Sequence, residues 1–197
     1  MLKSAVSGAQ DVAALLRSAV QLHQAGRLRE AEPLYKEVLG QAPGHPDALH
    51  LLGVLAHQTG HHIEALELID RAIAASPSFS DAHNNRGNIL RVLGRPDEAM
   101  AAYRQSIACA PTHALPWSNL GNALRDLGRL EEAVRAYREA IARRPEFAEA
   151  HLNLGIVLQD QGKSAEALAA FEAATQARPD FAPAHDSLGN ALRARGG

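Results

Sequence analysis

The residues of this chain with chemistry to offer are ten histidines, a single cysteine and a row of asparagines. His57 and His61 stand four apart, with His62 beside them. That spacing lets two imidazoles share one face of a continuous helix and chelate an ion. Gly60 lies between them, and a glycine there is expected to end the helix and separate the rings. His50 and His57 are seven apart, about 10.5 Å along a helix, too far for one ion. A catalytic thiol needs an organised histidine and an open pocket, and the sequence places no such pair at Cys109. Phosphate loops, dinucleotide fingerprints, nucleophile elbows and Cys-rich metal patterns do not occur. The expectation is a chain with no catalytic residue, no metal and no cofactor of its own.

The asparagines are more informative. Asn85, Asn119 and Asn153 recur at one spacing, with Asn88, Asn122 and Asn190 one helical turn further on and Arg91, Arg125 and Arg193 another turn beyond. Asparagine is a mediocre helix former, so repeated use in mid-helix points to a purpose beyond folding. Each amide offers a donor and an acceptor, matching one backbone C=O and N–H. Helices pack about 8–10 Å apart and an extended peptide advances about 3.3 Å per residue. One Asn per repeat can therefore hold about every third residue of an extended ligand. The alternative is that these amides bond the next helix and stiffen the stack.

The elements that must position these groups follow from a period of 34 residues. Glycine recurs at 53, 87, 121, 155 and 189, and again at 26, 60, 94, 128, 162 and 196. Proline recurs at 43, 77, 111, 145 and 179, and alanine at 31, 65, 99, 133 and 167. A period of this length signals an array of small supersecondary units. Within residues 114–147, Trp117, Leu120, Gly121 and Leu124 form one apolar helical stripe, and Ala133, Val134, Tyr137, Ala140 and Ile141 a second. Gly128 stops the first helix, A, and Pro145 lies beyond the second, B. The glycine inside helix A costs about 1 kcal/mol against alanine, which calls for a close approach of two helix backbones. The units are 12–45, 46–79, 80–113, 114–147 and 148–181, after an N-terminal extension 1–11 and before a terminal helix within 182–197.

The run Trp117-x2-Leu120-Gly121-x2-Leu124, then Ala133, Tyr137, Ala140 and Pro145, resembles the tetratricopeptide repeat. The resemblance covers about residues 12–197. It implies an all-α, right-handed superhelical solenoid of antiparallel helix pairs whose A helices line a concave face, with the asparagines pointing into the groove. His83, His151 and His185 replace the family's Trp and are expected to be packing residues. The ladder is similar to that in the tetratricopeptide region of O-GlcNAc transferases and their bacterial relatives, where asparagines hold the backbone of a protein substrate. Arg17, Leu51 and Ser187 stand at the flanking places, so the ladder is three rungs long. The clamp that grips a C-terminal carboxylate in chaperone-binding members needs a basic residue where this chain has Asp47, Asp81, Leu115, Glu149 and Pro183.

A net charge of −2 argues against a general polyanion binder, and Arg135, Arg138, Arg143 and Arg144 alternate with Glu139 and Glu146 as on a solvated helix face. No run approaches the ~18–20 apolar residues of a membrane span. The expected protein is a cytoplasmic scaffold that binds a protein or peptide in extended conformation, with neither nucleic acid nor membrane as partner. Leu188 and Leu192 of the last helix lack a helix B and offer a route to end-to-end self-association. The alternative function is the substrate-recruiting part of a larger glycosyltransferase or other transferase whose catalytic domain is not in this sequence.

Overall fold

Helix pairs and short turns account for the whole of the computed structural model, which describes the backbone of residues 2–196 and the side chains of 12–194. Among these there are eleven α-helices and no strand. They form two compact units. Residues 1–95 hold α1 (Leu2–Gln24), α2 (Leu28–Gln41), α3 (Pro46–Gln58), α4 (His62–Ala75) and α5 (Ser80–Val92). Residues 96–197 hold α6 (Pro96–Cys109), α7 (Ala114–Asp126), α8 (Leu130–Arg143), α9 (Ala148–Asp160), α10 (Ser164–Ala177) and α11 (Ala182–Gly196). Helix α1 runs through most of the segment expected as an N-terminal extension. In the first unit α1 packs on α2 and α3 on α4; in the second α7 packs on α8 and α9 on α10, each partner reversing direction across a three-residue turn.

One backbone device makes every A/B turn. In the second repeat Gly60 adopts φ +86°, its N–H bonds the His57 carbonyl at 3.1 Å, and the His61 N–H bonds the Ala56 carbonyl at 2.8 Å. This pair of bonds satisfies carbonyls that the helix end would orphan, and only glycine reaches that φ without cost. The other turns repeat it, as with Gly128 to Arg125 and Arg129 to Leu124, both 2.9 Å. Acidic residues in the first turn of each B helix, such as Glu64, Glu131 and Glu166, meet the positive end of the helix dipole.

The B/A turns carry a second device. A tight turn closes from His45 N–H to the Ala42 carbonyl (3.0 Å), from Phe79 to Ser76 (3.1 Å), from His113 to Ala110 (3.1 Å), from Phe147 to Arg144 (3.0 Å) and from Phe181 to Arg178 (3.1 Å). The repeated proline takes the second place in each, where its fixed φ is already correct. Its carbonyl then faces a donor from elsewhere in the repeat. His83 Nε2 donates to Pro77 O at 2.9 Å, His151 to Pro145 at 2.7 Å and His185 to Pro179 at 2.8 Å. The histidines in the Trp place are thus hydrogen-bond caps; His83 and His151 are half-buried, whereas His185 is exposed. Where that place holds Leu49 or Trp117, arginine substitutes: Arg71 donates to Pro43 O at 3.2 Å, and Arg143 to Pro111 O at 2.5 Å. Arg143 also lies 4.7 Å over the Trp117 ring, bonds Glu139, and so belongs to the packing rather than to a free basic patch.

The core of each pair is built on the glycine inside helix A. A Cβ on Gly121 would lie 2.7 Å from Tyr137 Cε1, one on Gly155 2.5 Å from Phe171 Cε1, and one on Gly53 2.9 Å from Ile69 Cγ1. At Gly121 and Gly155 the close approach is between helix A and a large side chain from helix B rather than between two backbones as the sequence suggested, whereas at Gly53 the Ala65 carbonyl of helix B would also lie 3.2 Å from the Cβ. Ile69, Tyr137 and Phe171 are fully buried as a result, as is Tyr35 in the first pair, where Ala19 takes the glycine's place. At Gly189 of α11 the nearest such atom is Arg193 Nη1, in the same helix, at 3.9 Å.

Candidate peptide-binding face

The expected site residues all lie on A helices, and the backbone register puts them there: a step of three or four residues returns to one helical face. In the first unit, Asn85 of α5 reaches back to α3, its Nδ2 donating to His50 Nε2 at 2.8 Å. Asn88 Nδ2 approaches Asn85 Oδ1 at 3.5 Å, one turn along. His50 is buried and lies 4.7 Å from the Phe79 ring. Burial pushes its pKa below the ordinary imidazole value, opposed by the charges of Asp81 and Asp47. A neutral ring with its acceptor nitrogen toward Asn85 follows from this bond. Arg91 is exposed at the next turn of α5.

In the second unit the amides form a chain. Asn122 Oδ1 accepts from the Tyr137 hydroxyl at 2.7 Å and from Asn153 Nδ2 at 3.2 Å. Arg125 Nη1 donates to Asn153 Oδ1 at 3.4 Å. Asn153 thus spends both ends of its amide on α7, joining one A helix to the next. Asn119 is half-buried at the same register of α7. Asn190 of α11 is exposed, and accepts from Arg193 of its own helix at 2.6 Å. The sequence placed these residues on one face of their helices but left open whether they bond the stack; Asn85, Asn122 and Asn153 do.

Three pairings escaped the sequence reading, although His50 and His62 were weighed there as metal ligands. His50 lies one place before the Leu51 rung, and its repeat equivalents, Asn84 and Ser118, are also polar and buried; that small buried polar row was the available signal. Tyr137 was read as a core residue, yet the ring that packs on Gly121 carries its hydroxyl to Asn122. In the first repeat Tyr35, equally buried, has its hydroxyl pushed up to about 12 by burial and lies 3.1 Å from His23 Nδ1. The third is that of His62. The turn at Gly60 does separate His57 from His61, whose Nδ1 meets Thr59 Oγ1 at 3.0 Å, but it brings His62 Nδ1 to 3.0 Å from His57 Nδ1.

Away from the asparagines, an open apolar groove of 490 Å³ lies among α8, α9 and α10, floored by Leu154 and Leu158. Arg138 and Glu166 line it and pair at 3.1 Å. Ala169 of α10 is exposed on it. Cys109 is a half-buried free thiol. Among the described residues no three His, Cys, Asp or Glu side chains are grouped to hold a metal, and no helix is long and apolar enough to cross a membrane.

Comparison with known proteins agrees with this architecture. Tetratricopeptide repeat models match residues 22–89, 80–113, 102–135 and 148–181, and a TPR repeat model matches 121–162. Among solved structures, MamA from Desulfovibrio magneticus RS-1 is 20% identical, with a TM-score of 0.74 over 87% of this chain and 97% of that one. A thermophilic TPR protein from Thermus thermophilus is 22% identical, with a TM-score of 0.74 over 92% and 98%. YrrB, described as a TPR protein with an unusual peptide-binding site, is 20% identical, with a TM-score of 0.70 over 94% and 96%. No curated protein matches the sequence. At these identities the structures establish a shared fold and nothing finer. The matched repeats, the all-α helix pairs and the glycine turns together make this chain a member of the tetratricopeptide repeat proteins.

Proposed function

We propose that this chain is a non-enzymatic interaction module that takes an extended peptide along the asparagine-bearing faces of its A helices. The observation that carries the reading is the state of the amides. Asn85, Asn88, Asn122 and Asn153 are all half-buried, open to solvent on one side, and bonded to other side chains. A peptide backbone offers the same donors and acceptors as these side chains, so it can bond the amides on their open side or take over contacts such as that between Asn88 and Asn85. The peptide-binding description of YrrB belongs to that protein but lends the reading a precedent within the fold.

The rival reading, that the amides stiffen the stack, is favoured by Asn153, whose oxygen and nitrogen are both engaged on α7. The two separate in one experiment. A partner captured by the wild type is titrated against Asn85→Ala/Asn119→Ala/Asn153→Ala and, separately, Ala169→Arg, which blocks the apolar groove. If each amide contributes about 1 kcal/mol, the triple variant binds roughly 100-fold more weakly at unchanged helicity. Normal binding with a lowered melting temperature gives the asparagines to the stack, and loss with Ala169→Arg alone moves the site to the groove. Recruitment of substrates for a transferase uses the same asparagines and adds a catalytic domain; the adjoining coding sequence tests it.

A further inference from the structure

We propose that His57 and His62 form a binding site for a divalent transition-metal ion, Cu²⁺ before Ni²⁺, through their two Nδ1 atoms. His57 stands in the last turn of α3 and His62 is the first residue of α4. The intervening turn is pinned by the bonds from Gly60 to His57 and from His61 to Ala56. The ring centroids are 4.8 Å apart, the planes tilt by 56°, and the two Nδ1 atoms face each other at 3.0 Å.

That separation fits one ion held by both rings. With metal–nitrogen bonds of about 2.0–2.1 Å, nitrogens 3.0 Å apart subtend an angle of roughly 94° at the metal. A tetrahedral ion needs about 109°, hence nitrogens about 3.3 Å apart at the same bond length. An angle near 90° is that of neighbouring ligands in a square-planar or tetragonal field, which Cu²⁺ and Ni²⁺ prefer, and Cu²⁺ heads the affinity order for nitrogen sites. Water completes the coordination, since exposed Thr59 and His61 leave the turn open.

Without an ion, the contact is a hydrogen bond, and one of the two Nδ1 atoms must carry the proton. The ion takes that place. The displaced proton passes through solvent to Nε2 of the same ring, leaving two neutral imidazoles with both Nδ1 lone pairs on the metal. His57 also occupies the repeat place that Arg91 and Arg125 hold one and two periods later. A bound dication supplies positive charge where those repeats carry a guanidinium.

The test uses untagged, chelator-washed full chain titrated with CuCl₂, NiCl₂ and ZnCl₂ by calorimetry, with electron paramagnetic resonance of the copper form. We expect one Cu²⁺ per chain, a two-nitrogen hyperfine pattern, affinity in the order Cu²⁺, Ni²⁺, Zn²⁺, and a copper-dependent rise in melting temperature. Losing a ligand costs at least the tenfold that losing a supporting residue costs, so His62→Ala should weaken binding by about tenfold or more and abolish the thermal shift. His61→Ala should leave both unchanged. Equal binding by wild type and His62→Ala, loss with His61→Ala, or Zn²⁺ held more tightly than Cu²⁺ overturns the assignment.

Discussion

Tyr137 packs its ring against Gly121 so closely that a methyl group on the glycine would sit 2.7 Å from Cε1 and 2.8 Å from Cδ1. The hydroxyl at the far end of the same ring donates to Asn122, the next residue on helix A. One glycine thereby sets both the depth of the core and the anchor of the Asn122 amide. Gly121→Ala should overpack this contact and cost about 1–3 kcal/mol. Gly189→Ala, where the nearest neighbour of a new Cβ is 3.9 Å away, should instead stabilise by about 0.4–1 kcal/mol. Urea denaturation of both variants checks the pair; a gain from Gly121→Ala, or two losses of similar size, would contradict the ring-on-glycine account.

The proline carbonyl caps give a second test. His151 donates to Pro145 O, whereas in the preceding repeat Trp117 stands in that place and Arg143 does the capping. His151→Trp should therefore lose a hydrogen bond, about 0.5–1.5 kcal/mol, even though it restores the family's residue. Ala177 lies one period after Arg143. Adding Ala177→Arg should recover stability in the double variant, and a double-mutant cycle measures whether the two changes couple.

How much of this could be read beforehand depended on what repeats. The period located both helices of each pair, the left-handed glycine at 60 and 128, and the turn prolines, because each is set by backbone geometry that one residue type satisfies best. The placement of the asparagines on one helical face was equally legible. Their partners were not. Asn85 pairs with His50 and Asn153 with Asn122 and Arg125, contacts fixed by where neighbouring A helices sit, which spacing within one helix does not encode. His57 shows the same limit: the sequence excluded its helical partner at 61 correctly, but the turn then created a partner at 62.

Stability should fall in mild acid in part through His50. Burial lowers its folded pKa below the unfolded value of about 6.5. The unfolded chain thus takes up the proton first, so this contribution is complete above about pH 6.5 and declines as the pH falls below it. His50→Gln keeps an acceptor for Asn85 and removes the titration. The stability loss from pH 7.5 to 5.5 should be smaller in the variant than in the wild type by thermal denaturation; identical pH profiles would remove His50 from the account.

Leu158 and Leu192 occupy one repeat place in α9 and α11 with different surroundings. Leu158 is 2% exposed, while Leu192 is 49% exposed, and among the described residues α11 packs only on α9 and α10. Leu158→Ala should cost about 2–5 kcal/mol, as for a buried leucine that leaves a cavity. Leu192→Ala should stay within about 0.5 kcal/mol of the wild type, as for an ordinary surface position. The exposed leucine is instead the place to test for self-association. An uncovered apolar strip tends to find a partner, and Leu188 continues it half-buried one turn earlier. Sedimentation over a range of concentrations should show weak self-association that Leu188→Gln/Leu192→Gln reduces. The double variant should also raise hydrogen exchange in α11, since Leu188 is partly covered by the rest of the array. A chain that stays monomeric at high concentration, with α11 as protected as α9, would remove Leu188 and Leu192 from any role in self-association.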